Sequence, residues 1–392
     1  MLRSLYSGIS GLRAHQTMLD VTGNNIANVN TAAFKSSAVQ FQDTLSQLNQ
    51  GAGAPQAQVG GTNPAQVGLG VQVAGISTNF SQGSAQLTGR ATDIMISGEG
   101  FFVTQLGNET LYSRAGAFDF DAQGRLVAPD GALVQGWNAV DGVITEGGAT
   151  GSITLPFQQV IAASATSTAS MGGNLPSDAA SGTQIIRDIE VFDAAGASRT
   201  IALTFTKVAA DPSEDWDVSS DGATDVRLDF TDGVLQAPTT AVIVADGVSF
   251  DMSTLTGYAD LTSVAVNTQN GQAAGSLESF RLGKDGSLVG LFSNGGTQSI
   301  GRIALASFIN PGGLEKSGAS GYRATFNSGL PDLGIPTAGG LGSLTAGALE
   351  MSNVDLSQEF TNLIVAQRGF QANARIITTS DEVLQELTNL KR

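Results

Sequence analysis

The sequence predicts an α+β multidomain chain: long N- and C-terminal helices forming a coiled-coil inner domain, and two mainly-β outer domains, the outermost inserted into the inner β domain. Three observations predict it. Heptad-spaced apolar rows occupy both ends, the period changes to two from Val71 onward, and similar hairpins flank an acidic central segment. The corresponding ranges are 1–30 and 349–392 for the helical domain, 31–70 for an extended linker arm, 71–145 and 272–348 for the inner β domain, and 146–271 for the outer one.

At the N-terminus, Leu2, Leu5, Ile9, Leu12, Gln16, Leu19, Gly23 and Ile26 follow alternating steps of three and four, which is an a/d seam. The asparagines Asn24, Asn25, Asn28 and Asn30 then end the helix, because their side chains compete for backbone hydrogen bonds. The next stretch, rich in Gln, Gly, Ala and Pro between residues 40 and 70, reads as a linker without a core.

Strand signals begin at Val71 and Val73, and Asp93 to Ser97 brackets three apolar residues. Phe118-Asp119-Phe120 runs into a turn at Asp121 to Gly124, then Leu126-Val127 and a second turn at Pro129-Asp130-Gly131. Ser279 to Val289 echoes Ala117 to Val127 in pattern, either by duplication or because turns between strands look alike. In the segment between these hairpins, Ile189 and Val191 precede the turn Asp193 to Gly196, and Ile201, Leu203 and Phe205 follow it in strict alternation. Further strands at 226–230, 242–244, 248–250 and 264–266 predict a small barrel or sandwich. The chain returns through Ile303 to Phe308 and Tyr322 to Phe326.

The C-terminal row is the stronger of the two. Leu356, Leu363, Phe370, Ile377 and Leu384 recur every seven residues, widened by Phe360, Ile364, Ala374 and Leu387. Asp355 and Gln358 suit a capping box, and Lys391 and Arg392 suit the negative end of the dipole. A helix of roughly 36 residues spans about 54 Å, too long to bury in an ordinary domain. It needs a partner. Each helix could instead pack on its own globular domain, but for the N-terminal one the ordering cost of some 25 backbones, about 25–50 kcal/mol and only partly offset by helix hydrogen bonds, exceeds what six buried aliphatics return, about 12 kcal/mol. The terminal segments are therefore expected to be loose in a free monomer and to fold when neighbouring chains complete the seam.

Charge and composition narrow the function. The net charge is -16, and residues 146–271 hold 16 acidic and 4 basic side chains, a contribution of -12. Nucleic acid, which rewards Lys and Arg, is not an expected partner. There is no cysteine, so no disulfide or Cys-ligated metal is possible. No stretch suits a cleaved signal peptide or a membrane span, so neither is expected. The single histidine, His15, lies on the N-terminal helix, where a solvent or inter-helix position is expected over a catalytic one. The acidic residues Asp211, Glu214, Asp215, Asp217 and Asp221 fail the calcium-loop spacing and read as a solvated loop. No catalytic, metal-binding or cofactor-binding residue is assigned, and the chain is not expected to be an enzyme.

Three stretches, in order, resemble the axial proteins of the bacterial flagellum, the rod and hook family. They are Asn24 to Thr31 with Phe34-Lys35, Ile96 to Val103 with Tyr112 to Phe118, and Gly347 to Leu356 with Val365 to Arg368 and Gln371 to Asn373. Ala33 stands where the family usually carries Gly. Val289 to Gly295 and Ile303 to Phe308 are most similar to the hook branch, with the distal-rod branch as the alternative. A secreted β-rich adhesin is the competing reading from another class, separable by whether the chain needs the flagellar exporter. The resemblance implies a self-assembling subunit of a hollow, flexible universal joint that couples motor to filament. It implies flagellar type III export without cleavage, and distal rod, hook cap and hook-filament junction proteins as neighbours of the homopolymer. Assembly residues are then expected at Leu2, Leu5, Ile9, Leu12, Leu19, Ile26, Asn28, Phe34, Leu356, Phe360, Leu363, Phe370, Ile377 and Leu384. Arg368, Gln371 and Arg375, off the apolar stripe, are expected to face the channel.

Overall fold

The structure, a computed structural model, describes residues 2–55, 60–140, 142–156, 160–208, 214–221 and 223–389, without the side chains of Leu2 and Arg3. The assembly role expected of the Leu2 side chain, the helix-end role of Lys391 and Arg392, and the part of the acidic loop at Asp211 lie outside the described residues. The chain forms two compact units: Met1–Leu155 with Arg281–Val289 and Ser299–Arg392, and Pro156–Phe280 with Gly290–Gln298.

In the first unit the helix α1 spans Leu2–Ala27 and α2 spans Leu356–Asn389. Asn28 closes α1 as its composition predicts, donating from Nδ2 to the Asn24 carbonyl. Asp355 caps α2 by accepting the N–H groups of Ser357 and Gln358 at 2.8 and 3.2 Å. The reciprocal half of the capping box is absent, because Gln358 donates to Asn362 instead. The helix starts later than residue 349. Ala348–Glu350 is a strand paired with Ala85–Leu87.

Residues expected as a linker fold back as an antiparallel ribbon. Ser37–Asp43 pairs with Val71–Thr78, and Ser46–Gln50 pairs with Ala65–Gly68. Val71–Thr78 thus belongs to the ribbon and not to the β body. Most of its side chains are exposed on both faces, so the pairing rests on backbone hydrogen bonds and leaves no apolar period to read. The ribbon meets α1 where the Val71 N–H donates to Ser10 Oγ.

The body of this unit is a sheet centred on Phe101–Leu106. That strand pairs with Glu109–Ser113, Leu133–Val140 and Leu305–Ser307. Glu109–Ser113 continues to Gly321–Arg323, and that strand to Glu315–Gly318. The two turns read around residues 121–131 form, with Leu126 opposite Phe120 and Val127 opposite Leu133. Phe101, Val103, Tyr112, Ala306, Phe308 and Tyr322 make one buried cluster. Its rings meet edge to face, Tyr112 and Phe308 at 4.8 Å. Phe326, expected on the last strand, lies beyond it and is fully exposed.

Of the barrel and the sandwich expected here, the second unit is nearer the barrel: it holds one nine-stranded sheet and not two packed ones. The hairpin Gln184–Phe192 with Ser198–Lys207 has the expected alternation, Ile189 opposite Ile201. Trp216–Ser220 is a strand on its flank, so Asp217 is a strand residue and not part of a loop. The sheet curls until its edge strands meet, with Arg187 Nε donating to the Val264 carbonyl at 2.8 Å. Its concave side collects a single core that includes Trp216, Phe205, Phe250 and Met171. One curled sheet buries one face, which alternation predicts without distinguishing it from a sandwich.

Candidate functional site: the helix pair and its root

The two helices pack antiparallel, and small residues set their approach. A Cβ on Gly11 would lie 2.7 Å from Asn373 Oδ1, and one on Gly369 would lie 2.5 Å from the His15 ring. Gly8 faces Ile376 and Ile377, and Asn25 Nδ2 donates to Glu359 Oε1 at 3.0 Å. Ala14, Thr22 and Asn25 on α1 and Ala366 on α2 are buried. His15 is therefore an inter-helix residue.

This contact row is not the leucine seam. At 100° per residue the row Gly8, Gly11, Ala14, Thr22, Asn25 lies about 120° around α1 from the seam of Leu5, Ile9, Leu12 and Leu19. The seam residues are half-buried, and Ile9 is exposed. The physical reason is distance: glycine and alanine admit a neighbouring backbone closer than leucine does. On α2 the heptad residues Leu363, Phe370, Ile377 and Leu384 flank the contact half-buried, while Leu356 and Phe360 are exposed. Arg368, Gln371 and Arg375 are exposed on the side turned away from α1. Ile26, Asn28 and Phe34 are half-buried at the base of the pair.

The root of the pair is a buried charge cluster that the sequence reading missed. Lys35 Nζ lies 2.6 Å from Glu350 Oε1, with both side chains sealed from solvent. Lys35 also donates to the Ser81 carbonyl, and the Gly83 N–H donates to Glu350. Arg114 lies 3.6 Å from the other Glu350 oxygen and stacks over the Phe101 ring. Burial pulls the Lys35 pKa down, and the bond and charge of Glu350 pull it back. Asn353 adds a second tie, accepting from the Ser36 N–H and donating to the carbonyls of Asn79 and Ser81. Asn25 ties the base of α1 to the ribbon through both the N–H and the carbonyl of Ser37. A signal for this cluster existed: each of the three resembling stretches carries one of its charges.

The turn before Phe34 keeps a glycine-like conformation without the glycine. Ala33 has a φ of 57° and its N–H donates to the Glu350 carbonyl at 2.8 Å. Left-handed backbone costs an alanine roughly 1–2 kcal/mol. Burying its methyl returns about 0.8 kcal/mol, and avoiding the extra chain entropy of glycine about 0.5–1 kcal/mol. The substitution is close to neutral.

Of the acidic run read as a loop, Glu214, Asp215 and Asp217 make structural contacts. Arg227 lies 3.5 Å from Asp217, Glu214 accepts the Gly233 N–H, and Asp215 accepts the Phe230 N–H. Among the described residues no group of three or more His, Asp or Glu is placed to hold a metal.

Comparison with known proteins gives three family matches along the chain. Residues 5–35 match the family described as flagella basal body rod protein, residues 95–172 the flagellar hook protein FlgE/F/G D1 domain, and residues 345–390 the flagellar basal body rod FlgEFG protein C-terminal. The chain is 39% identical to the flagellar hook protein FlgE of Borreliella burgdorferi over 100% of both chains. It is 36% identical to FlgE of Escherichia coli over 98% of both, and 35% identical to the flagellar basal-body rod protein FlgG of Bacillus subtilis over 100% of both. A solved Helicobacter pylori flagellar hook protein FlgE2 aligns with a TM-score of 0.49 at 13% identity, covering 68% of this chain and 100% of that one.

Proposed function

From the premise that the chain belongs to the flagellar hook protein family and is a structural subunit of the hook, we propose that α1 and α2 form a coiled-coil inner layer around the bore of a hollow homopolymer. The β-rich parts lie outside it, with the 146–271 segment as an outer domain inserted into the inner one. The observation that carries this reading is the apolar surface α2 keeps after pairing with α1. Phe360, Ile364, Val365 and Val383 remain 48–53% exposed. Antiparallel pairing of Asn25 with Glu359 and of Gly8 with Ile376 puts Leu2 near residue 382, so α2 runs about seven residues past it. Leu387 lies on that overhang and is 47% exposed. Completing the burial of such side chains is worth about 1 kcal/mol each, several kcal/mol per copy.

The seam of Leu2, Leu5, Ile9, Leu12, Leu19 and Ile26 then packs on a neighbouring copy, together with Leu356, Phe360, Leu363, Phe370, Ile377 and Leu384. Asn28 and Phe34 support the joint, and Arg368, Gln371 and Arg375 line the channel. Export through the flagellar type III apparatus without cleavage, and contacts with rod, cap and hook-filament junction proteins, complete the reading. Deleting residues 355–392 is expected to abolish hooks in electron micrographs. The isolated second unit should meanwhile keep its near-ultraviolet circular dichroism from Trp216. Hooks of normal form from the truncated chain would refute the proposal.

A further inference from the structure

We infer that a rigid apolar loop carrying Phe326 docks into the pocket beside Lys316 on a second copy of the chain, as a head-to-tail contact between subunits. This deepens the hook-subunit reading and rests on it. Ile309, Phe326 and Leu330 are 95%, 110% and 88% exposed, in one loop region of the first unit. Single exposed apolar residues need no explanation, but three large ones held together do.

The loop is held firmly. Thr325 Oγ1 donates to the Gly313 carbonyl at 2.6 Å, and Asn310 Nδ2 donates to the Asn327 carbonyl at 2.9 Å. Ser328 is fully buried, with its hydroxyl on the Thr325 carbonyl. A Cβ on Gly313 would lie 2.7 Å from the Asn327 backbone. The knobs are thus presented by backbone that is already ordered, which removes much of the entropic cost of docking.

The complementary feature sits at the other end of the same hairpin. Glu315–Gly318 and Gly321–Arg323 pair from Glu315 opposite Arg323 to Gly318 opposite Gly321, a length of about 10 Å. The knobs lie beyond the open end, and a pocket of about 270 Å³ lies at the turn end. Asn24, Asn28, Thr31, Phe34, Lys316 and Tyr322 line it. A cavity of about 150 Å³ is enough for a benzene ring, so a phenylalanine ring fits with room to spare. Phe34 offers a ring contact, and the Lys316 ammonium already stands 5.2 Å from the Phe34 ring centroid. A knob and a fitting pocket at different places on one chain pair either reciprocally, as a closed two-fold dimer, or one way, head to tail; an open hook polymer requires the one-way, heterologous contact, which runs on from copy to copy. In a polymer of this chain the second copy is the occupant always at hand.

The chain has no cysteine, which makes a clean test. Leu330→Cys and Ala319→Cys, combined with Phe326 left in place, are expressed as the full chain in cells lacking their own hook gene. Isolated hooks are then oxidised and run under denaturing conditions. The contact predicts a ladder of dimers, trimers and higher species in the double variant, and no ladder in either single variant. Hooks that form without laddering overturn it, and so does a product that stops at dimers. If the double variant makes no hooks, Ile309→Cys with Ala319→Cys gives the same readout. Phe326→Glu should raise the critical concentration for assembly about tenfold or more while Phe326→Leu leaves it nearly unchanged. Equal behaviour of the two would overturn the contact. Cells with the wild-type chain and no hook at all would remove the hook reading itself, a separate outcome from hooks that do not ladder.

Discussion

At the scale of single residues, the fold depends on charges that composition gives no reason to bury. Glu350 is the only side-chain anion in contact with Lys35 among the described residues, and it also faces Arg114. Glu350→Gln keeps the shape and removes the charge, leaving sealed Lys35 without its anionic partner and Arg114 with only the solvent-exposed Glu99 at 3.6 Å. The expected loss is about 3–5 kcal/mol, read as a fall in the denaturation midpoint of the full chain. Tyr322 gives a second handle. Burial pushes its phenol up to about 12, with Arg114 opposing and Glu350 adding to the shift. A folded pKa above the unfolded one means stability is fully present below pH ~10 and lost as pH rises toward 12. Tyr322→Phe should flatten the fall in melting temperature across that window, with the tyrosinate absorbance near 295 nm as the check. The role of Tyr322 was not legible in the sequence, and that of Glu350 only as one of the charges carried by the three resembling stretches. A lysine beside a phenylalanine and a glutamate beside a leucine look like surface residues until the fold joins positions more than 300 residues apart.

At the scale of elements, the existence of both helices was legible and their contact was not. Heptad spacing marks which residues are apolar, whereas the closest packing follows whichever face carries the smallest side chains. Gly8, Gly11, Ala14 and Gly369 contribute almost nothing to a hydrophobic pattern, yet they decide where α1 meets α2. Gly11→Leu should therefore separate the helices where Asn373 now sits. We expect a loss of at least 1–3 kcal/mol from overpacking, with protection of α1 amides in hydrogen exchange falling before that of the β body. Hairpins with one buried face were read correctly down to the residue, as in 184–207. The ribbon over 37–78 was not, because strands exposed on both faces leave the period of two without an apolar partner.

At the scale of the whole molecule, the two-ended seam was the strongest signal, and it survives in altered form. Apart from Ile377, which faces Gly8, the leucine rows lie beside the contact that joins α1 to α2 within a chain. They are what the pair leaves free, half-buried or exposed, along some 34 residues of α2. In the proposed assembly these outward side chains are the surface that meets further copies. The most direct measurement of that claim is a helical reconstruction of hooks assembled from this chain, at a resolution that traces side chains. The account predicts α1 and α2 as the innermost layer, Leu5, Ile9, Phe360 and Ile364 buried between copies, and Arg368, Gln371 and Arg375 facing the bore. Strands lining the bore, or those leucine, isoleucine and phenylalanine side chains left in solvent in the assembled tube, would contradict it.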